Sequence, residues 1–129
     1  MFYVFSYTPT AADTEASPYV LDMRLTAGVV HQIDILFQSG CGHEEFVQIF
    51  HGNLQVWPSN RGEKLRGDAT VLSFRDFFLL GAGSVRLQAK IWTTLAADFK
   101  EVIIQMGVLP REVLQPLSFK ELLKAAAEL

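Results

Sequence analysis

The residues best equipped for chemistry sit side by side: Cys41-Gly42-His43-Glu44-Glu45. A thiolate, an imidazole and carboxylates are metal-ligand types, so Cys41 and His43 are the candidate ligands. A structural zinc site needs a second ligand pair, and the other histidines are His31 and His51. Cys41 as a nucleophile needs a neighbouring base and a lowered pKa. His43, two residues on, shares its side only in an extended segment. Glu44 and Glu45 are adjacent, so in a strand they point to opposite faces and cannot form an acid–base couple. The simpler reading is a turn with a small buried cysteine. No catalytic residue and no cofactor follow from the stretch.

Other charged groups offer less. Arg61, Lys64 and Arg66 make a small basic loop, offset by Glu63 and Asp68. Such a loop suits a phosphate or an acidic partner. Asp68 and Asp76 flank a strand, where turn and edge solvation accounts for them. The aromatic residues say more. Trp57 stands before Pro58 beside a polar loop, and Trp92 falls on the polar phase of its strand. Phe77-Phe78-Leu79-Leu80 is continuous, so one phase of it must leave the core of a simple sandwich. Trp57, Phe77, Phe78, Leu79 and Trp92 are therefore the expected interface residues. A sugar-binding platform would use such aromatics too, with Asn53 and Asn60 near Trp57.

The elements that must hold these residues are strands. Tyr19 to Leu25 alternates, with Leu21, Met23 and Leu25 on one face and Asp22 and Arg24 on the other. From Ser84 to Trp92, Val85, Leu87, Ala89 and Ile91 oppose Arg86, Gln88 and Lys90. Val102, Ile104, Met106 and Val108 continue the pattern near the end. Phe2 to Tyr7, 29–37, 45–51, 54–57, 70–74 and the apolar piece 76–80 complete the set. Strands 29–37 and 45–51, joined by a glycine-bearing loop of about five residues, fit an antiparallel pair. In the first of them the odd positions Val29 to Phe37 form the apolar face, and Gln32 and Asp34 face water.

About eight short strands with no helix between them predict an all-β fold, an antiparallel β-sandwich of jelly-roll type. The expected division is a sandwich over 1–109, then a connector and docking helix over 110–129. In that tail Ser118 and Glu121 suit a capping box, and Phe119, Leu122, Leu123 and Ala126 follow helical spacing. A helix of about twelve residues is marginal alone in water, so its stripe must dock.

Composition sets outer bounds. The chain has 129 residues, half of them hydrophobic, with ten phenylalanines and a formal charge of −3. That charge predicts no nucleic-acid partner. One cysteine excludes an internal disulfide framework. No apolar run approaches the roughly 20 residues of a membrane span. The opening Met-Phe-Tyr-Val-Phe-Ser-Tyr lacks a basic leader and a cleavage site, which predicts synthesis in the cytoplasm without a signal peptide.

The string Leu25-Thr26-Ala27-Gly28-Val29-Val30-His31-Gln32-Ile33, continuing to Phe37 and Gly40-Cys41, resembles small β-sandwich accessory proteins of tailed bacteriophage virions. Trp57-Pro58-Ser59-Asn60 is similar to the Trp-Pro-Thr-Asn step of such sequences, and Ile91-Trp92 and Val108-Leu109-Pro110 follow in the expected order. The resemblance covers roughly residues 1–110. It implies a non-enzymatic protein of a capsid, portal or tail, found in the virion, with further copies or other virion proteins as partners. The competing expectations are a carbohydrate- or receptor-binding module and a small cupin-like metalloenzyme with gathered histidines.

Overall fold

Alternation gives each strand one apolar face to bury, and the computed structural model, which describes residues 1–82 and 85–110, contains nine strands. They are β1 (Phe2–Tyr7), β2 (Tyr19–Arg24), β3 (Gly28–Phe37), β4 (Glu45–His51), β5 (Leu54–Trp57), β6 (Leu65–Arg66), β7 (Thr70–Leu80), β8 (Arg86–Thr93) and β9 (Val102–Pro110). Two antiparallel sheets form, in the orders β1-β9-β3-β7 and β2-β8-β4-β5, with β6 added to β4. Their inner faces make one core. Ile33, Ile35 and Phe37 of β3 and Ile104 and Met106 of β9 join Leu87, Ala89 and Ile91 of β8 and Val47 and Ile49 of β4. The molecule is a β-sandwich.

The expected pairing of strands 29–37 and 45–51 is corrected. β3 lies between β9 and β7, while β4 lies among β8, β5 and β6. Each strand has its own apolar inner face, and the two faces meet each other across the core. The chain from 38 to 44 therefore changes sheets, held by Gly40 N–H donating to Asp68 Oδ1 at 2.9 Å and Ala69 N–H donating to the Gln38 carbonyl at 3.2 Å. His31 and His51 end on separate sheets.

A second correction concerns phase. The register of β3 slips between Val30 and Gln32 against both neighbours. Against β9 this leaves one extra residue, His31, a β-bulge that switches which side chains face inward. Val30 joins Ile33 in the cluster between the sheets, and Val29, also buried, lies apart from that cluster. The expected break between 70–74 and 76–80 is also absent: β7 runs unbroken through Arg75 and Asp76. The docking helix with Phe119, Leu122, Leu123 and Ala126 lies outside the described residues. Among those described there is no helix, hence none long and apolar enough to cross a membrane.

One backbone approach limits the start of β3. A Cβ on Gly28 would run into the Leu109 carbonyl oxygen and sit 3.2 Å from Val108 Cγ1. Gly52, in contrast, has φ +62° and open space around it. Gly28→Ala is expected to cost ~2 kcal/mol or more, through backbone displacement in a central strand. Gly52→Ala should cost only the ~1 kcal/mol of left-handed strain. Urea unfolding of both variants checks this, and equal losses would contradict the close approach.

Candidate functional site

The cluster Cys41–Glu45 folds as a turn into β4, and it separates its own members. Cys41 and Glu45 are fully buried, whereas His43, at φ +60°, and Glu44 are exposed. The Cys41 thiol donates to Glu45 Oε1 at 2.8 Å, and Lys100 N–H donates to Glu45 Oε2 at 3.1 Å. Beside it, Thr93 Oγ1 and Thr94 N–H donate to the Glu44 carbonyl at 3.0 and 2.9 Å. Thr93 N–H donates to the Asp13 carbonyl at 3.1 Å. Asp13 Oδ2 in turn accepts from the Tyr7 hydroxyl at 2.6 Å and from Thr10 N–H at 2.9 Å. One end of the sandwich is thus closed by carboxyl groups that gather loop donors.

This arrangement ties loops together and offers no reactive group. Burial, and then the hydrogen bond to Glu45, pushes the Cys41 thiol up to about 12 from 9.0. A nucleophile needs the opposite shift. Cys41 and His43, the candidate metal ligands, do not converge. Among the described residues no three His, Cys, Asp or Glu side chains gather in a way that would hold a metal ion.

The expected interface tryptophans are corrected. Trp57 is 2% exposed and Trp92 3% exposed, so neither presents a surface. Trp57 lies between the two sheets. Its Nε1–H donates to Asp76 Oδ2 at 2.8 Å, and its ring meets Phe78 edge-on at 5.6 Å. Phe46, stacked on Trp92 at 5.6 Å, is in turn covered by Lys64, 5.4 Å from its centroid. Sequence phase alone missed these covers, because they come from the 61–66 loop and from the opposite sheet. With Trp57 enclosed, the sugar-platform reading loses its main aromatic.

Most of the strongly exposed apolar residues lie elsewhere, on the outer face of sheet β1-β9-β3-β7, while Val20 and Leu54 are exposed on the other sheet. Asp76 also accepts Phe77 N–H on Oδ1 at 2.6 Å. With Asp76 turned inward to Trp57, alternation sends Phe77 and Leu79 outward and Phe78 and Leu80 inward. Phe77 is 70% and Leu79 58% exposed, and Leu80 is buried. Phe2 and Val4 of β1 and Val71 of β7 are also more than half exposed. Between them run Gln32, Asp34 and Ser73, with Gln32 Nε2 donating to Asp34 Oδ1 at 3.0 Å and Ser73 Oγ at 2.9 Å. In register, Phe2 faces Gly107, Gly107 faces Gln32, and Gln32 faces Arg75. Phe2 and His31 also meet edge-on at 6.1 Å. Asp34, Arg75 and the exposed Asp76 are the formal charges beside these positions. This face is the candidate functional surface.

The thiol's protonation has a measurable consequence. Held protonated in the folded chain, it stabilises the fold fully below pH 9, where the unfolded thiol also keeps its proton. Between pH 9 and about 12 the unfolded chain releases that proton and the folded chain does not, so the contribution is lost as pH rises. Tyr7, pushed up to about 12 by burial and the bond to Asp13, acts in the same direction above pH 10.0. Unfolding free energy should therefore fall above pH 9, and Cys41→Ser, which keeps a donor that does not titrate there, should fall less steeply. Identical slopes for the two proteins would refute the assignment.

No protein-family model, curated protein or solved structure matches the chain.

Proposed function

We propose that this chain is a non-enzymatic assembly protein of a tailed-bacteriophage particle, a jelly-roll sandwich that works by burying its outer apolar face against other protein. The observation that carries this reading is the face itself. Phe2, Val4, Val71, Phe77 and Leu79 are each more than half exposed on one side of one sheet. Large exposed apolar side chains concentrated on one sheet face support an interaction surface. The virion setting rests on the resemblance of residues 1–110.

The strand order supports the jelly-roll assignment. β1 pairs β9, β2 pairs β8, β3 pairs β7 and β4 pairs β5. Such nesting, first with last and inward, is what a long antiparallel ribbon wrapped into two sheets produces. Double-sheet jelly rolls of this sort serve viral capsids, lectins and cupins. The enclosed Trp57 and the scattered histidines favour the first of these. The sequence-predicted stripe Phe119, Leu122, Leu123 and Ala126 supplies a second contact to the partner. Burying Phe77 and Leu79 there contributes roughly 1.5–3 kcal/mol each.

Particles assembled with Phe77→Lys/Leu79→Lys in place of the natural chain test the reading. Both positions point to solvent, so the purified variant should melt close to the natural protein. Gradient-purified particles should carry the natural chain in fixed stoichiometry and lack at least nine-tenths of the variant, about a tenfold weakening. A natural chain missing from purified particles would overturn the proposal.

A further inference from the structure

We infer that the occupant of the outer face is a second copy of this chain, packed face to face across a twofold axis; the inference rests on the assembly reading above and names its partner. Three features of the face are self-complementary. The first is charge. Asp34 and Arg75 lie on adjacent strands one step apart in register, since Gln32 faces Arg75 and Asp34 faces Ser73. Yet they are not paired, and Arg75 has no carboxylate partner among the described residues. A charge covered by an apolar partner without a counter-charge is strongly disfavoured. Asp76 on the same face already holds the Trp57 and Phe77 N–H donors, so a twofold copy matches Asp34 with Arg75 in both directions, as an isologous contact requires.

Shape is the second feature. A hollow of about 590 Å³ on this face is lined by Phe2, His31, Gln32, Arg75 and Asp76. Beside it the Phe2 and His31 rings close over Gly107, where a Cβ would lie 2.8 Å from Phe2 Cε1 and 2.9 Å from His31 Nε2. The bulge places His31 at the wall of the depression. Phe77, 70% exposed, projects from the edge strand beside it. An axis along the strands, between β3 and β7, sets the Phe77 ring of each copy over the hollow of the other. It also brings Arg75 within its side chain's reach of the facing Asp34. A central aromatic anchor seated in a pocket is the usual hot-spot arrangement.

Area is the third. Four strands about 4.8 Å apart and some eight residues long present on the order of 500 Å² in projection and more in accessible surface. That approaches the ~800 Å² per partner of a standard interface. Edge-to-edge pairing through β7 is the weaker alternative, because Asp76 already takes the Phe77 N–H that an added strand would need.

Charge reversal in the full chain tests the geometry. The natural protein should be a dimer by light scattering. Asp34→Lys leaves two cations on the face and Arg75→Glu leaves two anions, so each variant alone should dimerise at least about tenfold more weakly. Mixed, the two should form a heterodimer with one chain of each, read by native mass spectrometry. The double variant Asp34→Lys/Arg75→Glu, again self-complementary, should recover the dimer. Recovery on mixing excludes misfolding as the cause of the single-variant losses. A natural chain that stays monomeric at about 1 mM overturns the inference, and so do charge variants that dimerise as well as the natural chain or fail to pair when mixed. A chain that enters particles but is monomeric in solution would sink this inference and leave the assembly reading standing.

Discussion

The Asp76 carboxylate sets the phase of the longest strand, and much of the surface follows from that. One oxygen accepts the Trp57 indole N–H across the gap between sheets, and the other accepts the next residue's N–H. A carboxylate turned inward at 76 leaves 77 and 79 no direction but outward, because side chains alternate along a strand. β7 carries large apolar residues in both phases from 77 to 80. Whichever phase turned inward, the other would have faced water. The hydrogen bond to Trp57 decides which, and it closes the sandwich at the β5–β7 side in the same step.

At the opposite pole the groups that looked reactive are used for closure. Glu45 sits fully buried with a thiol on one oxygen and a backbone N–H on the other. No cation is needed, because directed N–H and S–H donors stabilise a carboxyl group as a salt bridge does. Asp13 does the same for the 8–18 connection. Both connections pass between sheets. The carboxyl groups therefore mark where the chain changes layer, and those crossings are where backbone donors lack strand partners.

Alternation made most of the strands legible. Leu87, Ala89 and Ile91, and Val102, Ile104, Met106 and Val108, all reach the core as their period of two requires. The same pattern is silent about which strand lies beside which. It reports that a face is buried and not what buries it, so 29–37 and 45–51 read as a hairpin when they face each other across the core. The bulge at His31 was illegible for a related reason. A one-residue slip is set by the register of β9 and β7, and the local sequence Val29-Val30-His31 is apolar enough to suit either phase. Trp92 shows a third limit. On its strand it does occupy the outward phase, but Phe46, Lys64 and the 61–66 loop cover it.

The two outer faces of the sandwich are treated differently, and that asymmetry is the strongest physical reason to regard one as an interface. On sheet β2-β8-β4-β5 the outward aromatics are capped by cations: Lys64 over Phe46 and Trp92, Lys90 at 4.4 Å over Phe50. Long basic side chains cover the rings with their stems and keep their ammonium groups in water. Removing that water to dock a partner would strip several hydrated charges. On sheet β1-β9-β3-β7 the described residues place no cation over Phe2 or Phe77, and the charges present, Asp34, Asp76 and Arg75, are of both signs. With Asp76 held by Trp57 and Phe77 N–H, Asp34 and Arg75 are the acid and base left to be matched on that face. A chain under pressure only to stay monomeric would gain by covering both faces alike. Here the cation caps fall on the aromatics of one face, and the other keeps bare aromatics, a hollow and an acid–base pair suited to a protein partner.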